Sequence, residues 1–223
     1  MSRALPVAAA CAVLSGAILM VVALVAAPGP WSSGYVSEAG TPDRPLAVAY
    51  RIGVIVLAAG VAMLGLAMHR QAPPAAALLG LAAALAATSG SVACTSQCPL
   101  PPFEPTTAAD VVHAAAAIAG MATLAAAMGA VMLSSADRVL RRLAAAGAVL
   151  TVPTGAALGL TMLFLGRGTI VAALERILLA IAISWLIGTS IVLTVIRNSV
   201  KVEGRLPNRS PTVCPPSSNA SPS

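Results

Sequence analysis

Six apolar stretches occupy residues 5–27, 46–68, 75–93, 111–133, 143–165 and 170–196, and nearly every charged residue lies between them or near their ends. A helix needs about 20 mostly apolar residues to cross a bilayer core, where the backbone must satisfy its own hydrogen bonds. The chain is therefore expected to be all-α, a polytopic membrane protein folded as one bundle of six transmembrane helices. With 58% hydrophobic and 9% charged residues, a soluble globule of this composition would lack polar surface. Pro28-Gly29-Pro30, Pro73-Pro74, the proline-rich run 99–105, Ser134-Ser135 and Gly166-Arg167-Gly168 punctuate the spans as turns.

Lys and Arg collect in short cytoplasmic loops, so charge orients the bundle. With the N-terminus inside, the inner side carries Arg3, Arg70, Arg138, Arg141, Arg142, Arg197, Lys201, Arg205 and Arg209. The outer side carries Arg44, Arg51, Arg167 and Arg176 together with Glu38, Asp43, Glu104, Asp110 and Glu175. Both termini are then cytoplasmic, in a multi-pass protein of the cell membrane, expected to be a bacterial plasma membrane. The net charge of +6 is a topology signal, because no basic patch with interleaved aromatics points to nucleic acid. The first apolar segment is longer than a signal-peptide core and is expected to be retained. Trp31, Tyr35, Phe103 and Phe164 fall on the outer side, where an aromatic belt is expected.

Two regions follow: a transmembrane domain over 1–197 and a flexible Pro/Ser-rich cytoplasmic tail over 198–223, whose composition cannot build a core. The sequons at Asn208 and Asn219 lie in that tail, on the side away from external glycosylation.

Candidate functional residues come from the outer side. Glu38 and Arg51 are placed to pair across the first outer loop, or to form a solvated rim. Cys94 and Cys98, with three residues between them, suit a small disulfide loop on an oxidising side; free thiols and a metal site are the other readings. Cys11 and Cys214 offer no evident third ligand, and no resident metal or cofactor is expected. Thr106 or Thr107 caps the fourth helix, setting Asp110 in its first turns with His113 three residues on. Asp110 is then a charge partner or orienter for His113, itself a structural histidine, a proton carrier or headgroup binder, or a metal ligand. Glu175 and Arg176 are the most informative pair: charges at membrane depth are costly and seek a partner or a polar cavity. Their adjacency is expected to send the two side chains in different directions. In the fifth helix Gly155 and Gly159 form a G-x-x-x-G pair after Pro153, read first as packing within the monomer, with a dimer face or substrate path as alternatives.

These features in this order resemble the bacterial and archaeal six-helix membrane family catalogued as domain of unknown function 998, related to the Frag1-like membrane proteins. The resemblance covers about residues 5–196. Its landmarks are Tyr35-Val36-Ser37-Glu38 followed by Gly40, the outer cysteines, His113 on the fourth helix, and Leu174-Glu175-Arg176 with Trp185 downstream. It implies the six-helix fold and no particular activity.

The expected function is that of a non-enzymatic integral membrane protein binding a lipid headgroup or small polar ligand in an outward-facing pocket formed from Glu38, Arg51, Asp110, His113, Glu175 and Arg176. Membrane lipids, such a ligand and a membrane-protein partner are the expected contacts. Three other classes stand beside it. A transporter of a small molecule or lipid would use Glu175, Pro153 and the small-residue fifth helix. A membrane-embedded enzyme would use His113 as acid or base with Asp110 and Glu175. A membrane-complex assembly factor would present the same surface to a protein. H-E-x-x-H, G-x-S-x-G and phosphate- or dinucleotide-binding glycine motifs do not occur.

Overall fold

The computed structural model describes residues 4–27, 34–100 and 104–203. Six helices account for most of them: α1 (Ala4–Ala26), α2 (Ala47–Met68), α3 (Pro73–Ser91), α4 (Ala108–Ser134), α5 (Arg138–Phe164) and α6 (Thr169–Glu203). All six are long and apolar enough to cross a membrane. The protein is a multi-pass membrane protein with an all-helical fold, and no strand occurs among the described residues.

Each helix packs on its sequence neighbour, and α6 returns to α1, closing a six-membered ring. One core cluster gathers Leu5, Met68, Ala72, Leu140 and Ile196, so the start of α1, the late part of α6 and the two tight connections 69–72 and 135–137 share one end. The longer connections 27–46 and 92–107, with the tight turn 165–168, lie at the other, here called the loop end. Apolar side chains such as Val25, Val48, Val149 and Phe164 are exposed around the perimeter, the arrangement expected when hydrocarbon is the solvent.

Close helix contact rests on missing side chains. A Cβ on Gly16 would lie 2.5 Å from the Gly53 carbonyl, and one on Gly53 would lie 2.8 Å from the Gly16 carbonyl, so α1 and α2 meet backbone to backbone. In α5, a Cβ on Gly147 would reach within 2.7 Å of the Trp185 ring of α6. Gly159 behaves differently: nothing lies within 4 Å of a Cβ built there, and Gly155 meets only Leu178 at 3.9 Å. Among the described residues, the second glycine of the G-x-x-x-G pair does no packing within the monomer.

Helix ends follow local chemistry. Prolines open α3, where their missing N–H groups cost nothing. The Asp137 carboxylate accepts the Val139 and Leu140 amides at 2.8 and 2.9 Å and starts α5 at Arg138, so Arg138, Arg141 and Arg142 belong to its first turns rather than to the loop before it. α6 is helical through Glu203. Two sequence-expected belt aromatics, Trp31 and Phe103, and the tail sequons lie outside the described residues.

Candidate functional site

Residues 34–46 turn back over the bundle through a 3-10 turn, Val36–Gly40. Glu38 closes this turn from within: its carboxylate accepts the Tyr35 amide at 3.0 Å and its carbonyl accepts the Thr41 hydroxyl at 2.9 Å. Gly34 precedes it at φ 74°, a left-handed conformation suited to glycine. Val36 and Ala39 are buried with Met20, Ala23 and Tyr50, so the turn plugs the loop end between α1 and α2.

α6 clamps the same segment. Glu175 Oε2 accepts the Val36 amide at 2.7 Å, and Arg176 Nη1 donates to the Gly34 carbonyl at 3.1 Å and to the Ala172 carbonyl at 2.7 Å. The expectation that consecutive side chains would part company is corrected here: both reach residues 34–36, because that segment lies across the first turns of α6 and both side chains are long enough to bend toward it.

Arg167, in the four-residue turn between α5 and α6, joins all three connections at this end. It lies 3.4 Å from Glu38 and 3.7 Å from Glu104, donates to Gln97 Oε1 at 3.1 Å and to the Gln97 carbonyl, and sits 5.4 Å above the centre of the Tyr35 ring. Arg44 approaches Glu38 at 3.8 Å from the other side. Sequence reasoning counted Arg167 only as an outer charge, and Gln97 not at all. A lone arginine between two glycines carries no periodic signal, and its partners lie far away in the chain. Tyr35, read as a belt residue, is instead buried at 6% exposure under Arg167. Burial raises its phenol pKa above the usual value, with the Arg167 charge pulling the other way. Asp43, nearby, is held low chiefly by a hydrogen bond from Thr41.

Arg51 does not pair with Glu38. Its guanidinium donates to the Gly90 and Ser91 carbonyls at 3.1 and 2.5 Å, capping the negative end of α3. Nor is Asp110 aimed at His113. Thr107 caps α4, and the buried Asp110 carboxylate accepts the Thr107 amide at 2.8 Å, the Thr107 hydroxyl at 2.7 Å, the Thr95 amide at 2.7 Å and the Thr95 hydroxyl at 3.0 Å. Four donors occupy the oxygens. Asp110 therefore pins the 92–107 connection to the start of its own helix.

His113 instead faces the end of α3. Its Nδ1 lies 2.9 Å from both the Ser89 and the Val92 carbonyls, with the Ser89 hydroxyl at 3.4 Å. Cys94 and Cys98 are joined as a disulfide across a turn whose Gln97 and Cys98 both have positive φ. Both sulfurs are buried, and the ligand atoms of Cys94, Cys98 and His113 lie within 4.8 Å of one another.

The polar residues at the loop end thus divide into a loop cluster (Glu38, Arg44, Gln97, Glu104, Arg167), an α6 clamp (Glu175, Arg176) and an α3–α4 group (Asp110, His113 and the cysteines). Gln97 links the first to the third. Among the described residues no hydrogen bond joins His113 to Glu175. No curated protein and no solved structure matches the chain. The six membrane-spanning helices and the Glu38 and Glu175 contacts fall within residues 8–192 for the most part, the stretch matched by the family model described as "Protein of unknown function (DUF998)", and the chain belongs to that family.

Proposed function

We propose that this protein is a non-enzymatic membrane protein whose loop end binds a lipid headgroup or small polar ligand. The observation that carries this reading is Arg167. Its side chain is 26% exposed, it stands where all three loop-end connections meet, and its Nε is buried with no hydrogen-bond partner among the described residues. Buried donors normally have a partner, so an anionic oxygen is a chemically suitable companion for this guanidinium. Glu38 and Glu104 beside it supply acceptors for an amine or hydroxyl on the same ligand. Glu175 and Arg176 act beneath, by holding residues 34–36 in place.

The test is retention. The full-length chain, purified in mild detergent, is examined by native mass spectrometry for co-purifying lipids and metabolites, then re-offered vesicles of defined anionic and zwitterionic headgroups. Selective retention of one headgroup or metabolite class, weakened about tenfold by Arg167→Gln in a protein that still elutes as wild type, supports the reading. Absence of selectivity, or binding unchanged in both Arg167→Gln and Glu38→Gln, removes it.

A second reading, a membrane-complex assembly factor, draws on α5. The open face at Gly159 is suited to close approach by a helix of another membrane protein. Cross-linking from a single cysteine at position 159 in native membranes distinguishes the two: a discrete protein adduct supports assembly, and adducts to lipid alone oppose it.

A further inference from the structure

We propose that Cys94, Cys98 and His113 form, once their disulfide is opened, a binding site for a thiophilic metal ion, zinc(II) by its ligand set. This rests on the α3–α4 group and is independent of the ligand reading at Arg167.

The geometry already assembles the donors. The His113 ligand atom lies within 4.8 Å of both sulfurs; once the S–S bond is open the sulfurs move apart and the nitrogen closes in to meet Zn–S distances near ~2.3 Å and a Zn–N distance near ~2.1 Å. Rotation about the cysteine χ1 bonds separates the sulfurs. The five-residue turn is held independently of the S–S bond, by the Cys98 amide on the Thr95 carbonyl and by Thr95 on Asp110. Reduction therefore leaves the two thiols close together.

One ring nitrogen of His113 belongs to this group of ligand atoms. The two carbonyls at 2.9 Å from Nδ1 can only accept, so that nitrogen carries hydrogen and the neutral ring keeps its lone pair on Nε2. A backbone carbonyl holding the distal N–H is the arrangement that fixes ligating histidines in metal sites. Two thiolates and Zn²⁺ sum to zero charge, which suits a buried position near the membrane interface. No fourth Cys, His, Asp or Glu belongs to the group among the described residues, so the remaining tetrahedral position falls to water or an exchangeable ligand.

The chemistry balances with a dithiol as reductant. One of its thiolates attacks the Cys94–Cys98 bond; its second sulfur closes the reductant into a cyclic disulfide, and two electrons and two protons pass to the cysteines. Zinc then binds both sulfurs and releases the two thiol protons to buffer.

The experiment uses the full chain in detergent with Cys11→Ser and Cys214→Ser, which removes the other thiols. The protein is reduced with dithiothreitol, desalted anaerobically and titrated with Co²⁺, then Zn²⁺. The expected result is one equivalent of cobalt, thiolate-to-cobalt charge-transfer and tetrahedral d–d absorption, bleaching by zinc, and release of two protons per zinc. The oxidised chain should show none of these. His113→Ala and His113→Gln, each first purified with the disulfide intact as proof of folding, should weaken binding about tenfold or more. Failure of the reduced chain to bind, or binding equally tight in both His113 variants, overturns the proposal.

Discussion

Glu175 and Arg176, consecutive on α6, hold opposite backbone groups of one short segment: the acid accepts the Val36 amide and the arginine donates to the Gly34 carbonyl. A carboxyl group within a membrane span thereby gains a hydrogen-bonded role beside the Arg176 guanidinium. The connection it holds fills the loop end between α1 and α2.

Removing the acceptor should loosen that connection. Glu175→Leu leaves the Val36 amide without its partner, and the expected loss is about 1–3 kcal/mol. Glu175→Gln keeps an acceptor oxygen and should lose less. Chemical unfolding in detergent gives the difference, and limited proteolysis within 27–46 gives its location. Equal stability of wild type and Glu175→Leu would rule out the clamp.

Arg167 and Glu38 are both largely shielded, at 26% and 12% side-chain exposure, so their coupling should exceed that of a fully solvated pair while staying modest. A double-mutant cycle with Arg167→Gln and Glu38→Gln is expected to give about 0.5–1 kcal/mol, shrinking as salt is raised. A coupling indistinguishable from zero would mean that Arg167 holds the loops through Gln97 and Tyr35 instead.

Tyr35 ties this cluster to pH. Its folded pKa is raised, mainly by burial, above the value of about 10 for a free phenol. Between those two values the folded state holds a proton that the unfolded state has lost. The associated stability is therefore complete below about pH 10 and disappears as pH rises through the folded value. Thermal unfolding followed from pH 8 to 12 should show a shallower alkaline decline in Tyr35→Phe than in wild type. Superimposable declines would exclude the contribution.

The spans were legible because lipid imposes one demand on every residue they contain, and 58% apolar content leaves few alternatives. A threonine cap of α4, Thr106 or Thr107, was legible for a similar reason, since helix starts have local chemistry, and Thr107 takes the position. The loop-end contacts were not. Spacing placed Asp110 and His113 on neighbouring faces, yet Thr95 and Thr107 supply the donors that decide where Asp110 points. His113 met the cysteines only because the end of α3 and the start of α4 lie side by side, a relation between helices that no single-helix pattern contains.

The glycines offer a contrast between occupied and open space. Gly147→Val places atoms where the Trp185 ring and the Met128 sulfur already lie, at 2.7 and 3.2 Å from a Cβ, and should cost about 1–3 kcal/mol. Gly159→Val meets nothing within 4 Å and should leave monomer stability nearly unchanged. Comparable losses in unfolding experiments on the two variants would mean that α5 does not lie against α6 as described.

Orientation across the membrane follows from charge. Arg138, Arg141 and Arg142 sit at the start of α5, the end of the bundle shared by the start of α1, and the cysteines sit at the opposite end. Lys and Arg in short connections are retained on the cytoplasmic side, so the loop end is predicted to face outward and both termini inward. Reporter fusions after Arg141 and after the last residue should both behave as cytoplasmic. In intact cells a membrane-impermeant reductant followed by an impermeant maleimide should label Cys94 and Cys98 in a chain lacking Cys11 and Cys214. Labelling only after the membrane is opened, with external reporter activity at Arg141, would invert the bundle. The loop-end site would then face the cytoplasm, where reducing conditions favour the dithiol form over the disulfide.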